Sequence, residues 1–373
     1  MNPTSGRTRS RVRGNLQLVA FLAALLIGVI ALNWPITFAT ASPSAPAATS
    51  QPVAAQDQPT ADVAAQANQA VVTITNYQPR QNPFTGDAGS GQAVPYGVGS
   101  GYIIDDAGHV VTNWHVVQGG TAFEVEFIDK TTVSAELVGS DRFQDVAVLQ
   151  LDLASGQELP GVLSFGDSDT VRPGDDVIAI GSPYGEYLNS VSEGSVAAVG
   201  RGLDTGDGYA LPNLIQHSAP IYEGNSGGPL LNSDGQVIGM NVAKATQLLN
   251  GVSGNDQSGI GFAIASDAVK PLVEQIIANG TVARAYLGIS SRTLQAGQFV
   301  ESVEADGPGA RSGLQAGDVI TGLDGQEVDA RHPFLNMLIF DHQPGDNVEL
   351  VVDRDGQQLT VEVTLGERPA NIQ

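Results

Sequence analysis

The chain contains no cysteine. That excludes a disulfide framework, thiol catalysis and cysteine-ligated zinc, while leaving the compartment open. Charge is also scarce: charged residues make up 15% of the 373 positions, against about 25% in an ordinary globular protein. The shortage falls on the cations. Four of the 17 basic residues (Arg7, Arg9, Arg11 and Arg13) lie in the first 13 positions, leaving 13 to face 40 acidic groups over the remaining 360. Such a body repels phosphate backbones, which argues against nucleic-acid binding. Five scattered histidines offer no metal-ligand cluster. Glycine, by contrast, is abundant: 45 residues, about 12% against the usual ~7%. That excess favours a turn-rich β body over a helical bundle, and the length calls for two domains.

The run LQLVAFLAALLIGVIAL over 16–32 holds one polar residue, Gln17, and no charge. It is long enough to span a bilayer, and the arginines before it orient it with its N-terminus inside. The expectation is a basic cytoplasmic segment over 1–15, a single-pass anchor over 16–34, and a linker rich in Ala, Pro, Ser, Thr and Gln over 35–61. The alternative is a signal peptide cut at Ala39-Thr40-Ala41, giving a secreted protein. Either way the folded body, expected from near Asp62, lies outside the cytoplasm.

Short apolar or alternating runs broken by turn residues fill 62–265: VVTIT (71–75), GSGYII (99–104), FEVEFI (123–128), DVAVLQL (145–151), DVIAIG (176–181) and QVIGMNVA (236–243). They predict strands of one or two barrels. A helix is expected over 266–279, capped by Ser266, with Asp267 in its first turn and Gly280 as its stop; Pro271 is an uncomfortable resident. The first domain thus covers 62–281. A second, over 284–369, has short strands, a helix near 331–341 and a hairpin turning at Asp355-Gly356.

The stretch GNSGGPL (224–230) carries the clearest chemistry. A serine flanked by glycines implies close backbone approach or positive φ, as an attacking hydroxyl and a hole of N–H donors require. An α/β-hydrolase elbow does not fit, because strand, turn and strand follow Ser226 where a helix is needed. A serine nucleophile needs a base. His109 reads as a solvated strand histidine, and His217 as a pocket wall or cross-strand filler. His115, where the run HVVTNWHVV gives way to a turn, is the favoured base. Asp145, directly before an apolar run, is the favoured orienting carboxylate, since burying it unpaired is costly. Its competitor Asp141 reads as part of a solvated turn.

With TNWHVV, DVAVLQL and GNSGGPLLN in this order, the sequence resembles the HtrA/Deg serine proteases of the chymotrypsin-like superfamily; GIGFAI (259–264) and Tyr286-Leu287-Gly288-Ile289 are also similar. The resemblance implies two six-stranded β-barrels with the cleft between them, then one small α+β PDZ domain. It implies a triad of His115, Asp145 and Ser226, and an oxyanion hole in which Gly224 and Ser226 donate and Asn225 forms the connecting turn. It further implies an endopeptidase that needs no cofactor or metal, acts on unfolded or damaged polypeptides and assembles as a homotrimer. In the second domain Tyr286, Leu287, Gly288 and Ile289 would form a loop that captures apolar C-termini. The chain departs from the family pattern in places: in the segment before the serine Ser218 stands where an Asp is usual and Tyr222-Glu223 where an Asn-Pro pair is usual, and after FAI Ala265 stands where a proline is expected. A non-catalytic holdase or sensor built on the same domains is the rival reading.

Overall fold

The computed structural model describes residues 59–81, 88–205, 209–242, 260–295 and 297–369. The expected anchor over 16–34 and nearly all of the linker lie outside them. Among the described residues no helix is long and apolar enough to cross a membrane.

A helix α1 (Pro59–Ala67) starts the described body slightly before Asp62. Six strands then close into a barrel in the order β1-β2-β3-β6-β5-β4. They are β1 (Val71–Gln81), β2 (Ala88–Ile103), β3 (His109–Thr112), β4 (Ala122–Glu126), β5 (Thr132–Asp141) and β6 (Val146–Leu151). β4 shows the half-buried alternation its sequence dictates, with Phe123 and Val125 inward, whereas β6 is buried almost throughout. β1 and β2 form a long antiparallel pair, from Val71↔Tyr102 out to Gln81↔Ala88.

A second barrel closes in the order β10-β11-β12-β9-β8-β7. Its strands are β7 (Asp176–Gly181), β8 (Ser190–Asp204), β9 (Ala210–His217), β10 (Pro229–Leu231), β11 (Val237–Asn241) and β12 (Gly261–Ala265). Ile180, Leu214, Leu230, Met240 and Ile264 are fully buried in it, each burial contributing about 1.5–3 kcal/mol. The helix α3 (Ser266–Asn279) follows and buries Val269, Leu272, Val273 and Ile276 in the core it shares with the barrels. It ends at Gly280, which holds the left-handed conformation (φ 74°). Its start differs from expectation. The cap position is Ala265, and Ser266 is already helical, its hydroxyl donating to the Gly166 carbonyl. The Asp267 carboxylate accepts from Ser168 Oγ and Asp169 N, tying the helix to the 3-10 turn Ser168–Thr170. Pro271 lies inside the helix without ending it.

The last 80 or so described residues form the PDZ unit. Five strands run in the order β14-β15-β16-β18-β19: β14 (Ile289–Leu294), β15 (Gly297–Val303), β16 (Val319–Leu323), β18 (Asn347–Arg354) and β19 (Gln357–Thr364). β17 (Gln326–Glu327) pairs with β16, and β13 (Ala285–Tyr286) with β20 (Gly366–Glu367). Between these lie α4 (Pro308–Arg311) and α5 (Phe334–Phe340). Asp355 and Gly356 both take positive φ, as the expected primed hairpin turn demands.

Candidate active site

β3 stops at Thr112, and the chain passes through Asn113 into α2 (Trp114–Val117). His115 therefore sits on a single helical turn and not on the end of a strand. Gly99 makes the turn possible: a Cβ there would lie 2.6 Å from Val116 Cγ2. Asp145 precedes β6 in the left-handed region (φ 56°), where a non-glycine residue needs its surroundings to hold it. Three contacts do so. The His115 backbone N–H donates to Asp145 Oδ1 at 2.9 Å, His115 Nδ1 lies 2.8 Å from Oδ2, and the Asn113 amide donates to the Asp145 carbonyl at 3.0 Å. The two side chains are only 19% and 13% exposed, so water screens the pair weakly. An Nδ1–H donating to the carboxylate leaves Nε2 as a proton acceptor.

The glycines around Ser226 are there for space as well as for φ. Gly224 takes φ 98°, and a Cβ on it would lie 2.3 Å from the Ser182 carbonyl. Gly227 takes φ 84°, and a Cβ would lie 2.2 Å from the Ser100 carbonyl. The Asn225 N–H is used in a turn to the Tyr222 carbonyl (3.0 Å), which fits a connecting role for this residue. Ser226 itself is buried, as are Gly224 and Asn225.

One group that holds this loop was missed by sequence reasoning. Ser100 on β2 donates its N–H to the Ser226 carbonyl (2.8 Å) and its hydroxyl to the Gly224 carbonyl (2.6 Å). Its Oγ also accepts the Ser182 N–H, and its carbonyl accepts the Thr112 hydroxyl. A residue of the first barrel thus staples the serine loop of the second. The signal was the triplet Gly99-Ser100-Gly101, whose glycines both face atoms that a Cβ would strike.

The remaining candidates separate cleanly. His109 is not a solvated strand histidine: it is half-buried, with Nδ1 2.7 Å from Asp105. His217 is a cross-strand filler, fully buried between Val196 on β8 and Gly261 on β12. Burial lowers its pKa to about 4. Asp141 is not on a solvated turn. It is 4% exposed and paired with Arg284, whose Nε lies 3.2 Å from Oδ1. Ser218 Oγ, at the position where the family usually has Asp, accepts the Ser195 N–H of β8 at 2.9 Å. Asp167, Asp169 and Asp267 are exposed carboxylates that lie close together beside the start of α3.

In the PDZ unit a cavity of about 230 Å³ opens between the segment Tyr286, Leu287, Gly288, Ile289 and the α5 side chains Phe334, Leu335 and Leu338. Gly288 has φ 73°, and the Tyr286 hydroxyl donates to Glu304 at 2.9 Å.

Comparison with known proteins agrees with this architecture. Residues 99–240 match the trypsin-like peptidase domain family and residues 285–365 the PDZ domain family. The chain is 36% identical over 327 residues to the serine protease Do-like HtrA of Bacillus subtilis, covering 80% of this chain and 71% of that one. The chain belongs to the HtrA family of serine proteases. It is also 41% identical over 284 residues to a probable periplasmic serine endoprotease DegP-like of Halomonas elongata, covering 73% of this chain and 57% of that relative. Among solved structures, the HtrA-type protease AlgW with decapeptide superposes with a TM-score of 0.60 at 33% identity, covering 83% of this chain and 98% of that one. The chain is accordingly a serine endopeptidase of HtrA type that carries one PDZ domain.

Proposed function

We propose that this HtrA protease cuts unfolded or damaged polypeptides outside the cytoplasm through a triad of His115, Asp145 and Ser226. The observation that carries this reading is the His115–Asp145 pair, doubly bonded and largely shielded from water, in a chain whose nucleophile loop has the backbone that GNSGGPL requires. Ser226 Oγ attacks the scissile carbonyl while His115 Nε2 takes its proton. The same nitrogen returns the proton to the leaving amine, and water then hydrolyses the acyl-enzyme by the reverse steps. Asp145 holds the imidazole tautomer and stabilises the imidazolium. The N–H groups of Gly224 and Ser226 receive the oxyanion, with Asn225 fixing the turn between them.

The PDZ segment Tyr286-Leu287-Gly288-Ile289 captures apolar C-termini, as suggested by the apolar cavity beside it and by the peptide held by the similar AlgW structure. Segment 16–34 anchors the chain in the membrane, and the protein works as a homotrimer. The periplasmic naming of the Halomonas elongata relative supports an extracytoplasmic site of action.

Ser226→Ala tests the reading. It should abolish casein digestion and labelling by a fluorophosphonate probe while the far-UV spectrum is unchanged. Labelling of the variant at the wild-type rate would refute Ser226 as nucleophile. A wild-type protein that the probe never labels would favour the non-catalytic holdase.

A further inference from the structure

Outside the first 13 residues the chain has only 13 cations, yet three of them meet in one cleft. A cavity of about 340 Å³ lies where the PDZ unit meets the first barrel, lined among others by Trp114, Arg142, Phe143, Arg284 and Arg368. Arg284 is satisfied by Asp141 and by the Ile339 carbonyl. Arg142 and Arg368 have no carboxylate partner among the described residues, and the Nε of each is buried without a hydrogen-bond partner. Both guanidinium carbons lie over the Phe143 ring, at 5.3 and 4.9 Å. Stacking occupies a guanidinium's faces and leaves its in-plane N–H donors for an anion. Burial, and then the nearby Arg142, push the pKa of Arg368 down.

Three guanidiniums and one carboxylate leave two positive charges in a partly dry cleft. Tyr286 and Asp141 favour the charged form of Arg368, but that offsets the repulsion and desolvation only in part, since the pKa of Arg368 still falls and both Nε donors stay unpaired. A ligand that accepts several hydrogen bonds and carries two negative charges cancels both costs. We propose that this cleft is a binding site for a phosphate dianion, as inorganic phosphate or as the head of a small phosphomonoester. The charge count favours phosphate over a single carboxylate, and paired guanidinium forks match its oxygens. None of His115, Asp145 and Ser226 lines the cleft. Arg368 also lines the PDZ cavity, so occupancy would be felt in the peptide groove.

Trp114 provides the readout, since the only other tryptophan is Trp34. The full-length Trp34→Phe protein is titrated at pH 7.5 with sodium phosphate, glycerol 3-phosphate and, at matched ionic strength, sodium chloride. The expected result is a saturable change in fluorescence, and a rise in melting temperature, with both phosphates and with neither at equal chloride. Arg142→Met, which alters the cleft without touching the PDZ cavity, should weaken binding at least tenfold, and Arg142→Lys should restore part of it. Tighter binding of glycerol 3-phosphate assigns the site to phosphomonoesters, and equal binding assigns it to the free anion. No saturable signal in the unsubstituted cleft overturns the proposal, and so does a response identical to that of chloride or unchanged in a folded Arg142→Met protein.

Discussion

The buried imidazole of His217 makes stability depend on pH in a way that can be isolated. The side chain has no exposure, and neither ring nitrogen has a hydrogen-bond partner among the described residues. Desolvation dominates its titration. Asn241 and the Ala219 backbone are near enough to favour the charged form slightly, and the pKa still falls from 6.5 to about 4. In the unfolded chain the imidazole takes a proton below about pH 6.5, whereas in the folded chain it stays neutral until about pH 4. The unfolded state therefore binds more protons across that window. Stability is intact above it and falls as the pH drops through it, by about 1.4 kcal/mol per pH unit and about 3 kcal/mol in all. His217→Gln removes the titration and keeps a polar side chain of similar size. Urea unfolding of both proteins at pH 7.5, 6.5, 5.5 and 4.5 gives a difference curve in which the carboxylates common to both cancel. The gap between the two proteins should stay constant from 7.5 to 6.5, then move steadily in favour of the variant. Parallel curves over the whole range would show that His217 is protonated in the folded state or is reached by water, and the reasoning would fail.

The other expectations are simpler. Gly227→Ala places a methyl 2.2 Å from the Ser100 carbonyl in a backbone at φ 84°, so kcat/KM on casein should fall at least about 100-fold, while binding of a C-terminal peptide to the PDZ unit is retained. Cleavage should follow small or medium apolar residues such as Val, Ala or Ile, because Ala219, Pro220, Ile221 and Tyr222 leading to the serine carry no carboxylate; a mass-spectrometric map dominated by Lys and Arg would contradict this. Peptides ending in Val, Leu or Phe should bind in fluorescence anisotropy and lose binding on C-terminal amidation; equal binding of both forms would leave the PDZ unit as a spacer.

The parts that were legible in the sequence share one property: their signals are local. β6 is buried on both faces, and its run of Val, Ala and Leu says so. The hairpin β18–β19 is written in Asp355-Gly356 between alternating strands. The serine loop shows itself because Gly224 and Gly227 adopt conformations that other residues avoid. What depended on distant partners was read less well. Ser266 looks like a helix cap, but the nearby Gly166 carbonyl offers its hydroxyl a better use. Ser100 reads as one more residue of the strand run GSGYII until the second barrel brings two carbonyls for it to bind. His109 seemed destined for solvent because nothing in GHVVTN reveals that Asp105 folds back onto it.

Asp141 shows why the joint between the protease and PDZ units was the least legible of all. Gly-Ser-Asp-Arg is turn composition, and its partner Arg284 stands 143 positions away. Yet Asp141 also accepts the Gln144 N–H at 3.0 Å, in the same turn that presents Asp145 to His115. On the far side of the joint, Asn336 of α5 exchanges two hydrogen bonds with the Ala210 backbone of β9, and Ile339 packs with Phe143 and Tyr209. The helix that walls the PDZ cavity is therefore fastened to the turn before the orienting carboxylate and to a strand of the second barrel. A left-handed Asp145 costs on the order of 1–3 kcal/mol and persists only where its surroundings over-determine it. Arg284, at the entrance to the PDZ unit, bonds Asp141, and Asp141 accepts the N–H of Gln144 next to Asp145, so the joint between the two units and the turn that carries the orienting carboxylate share one ion pair.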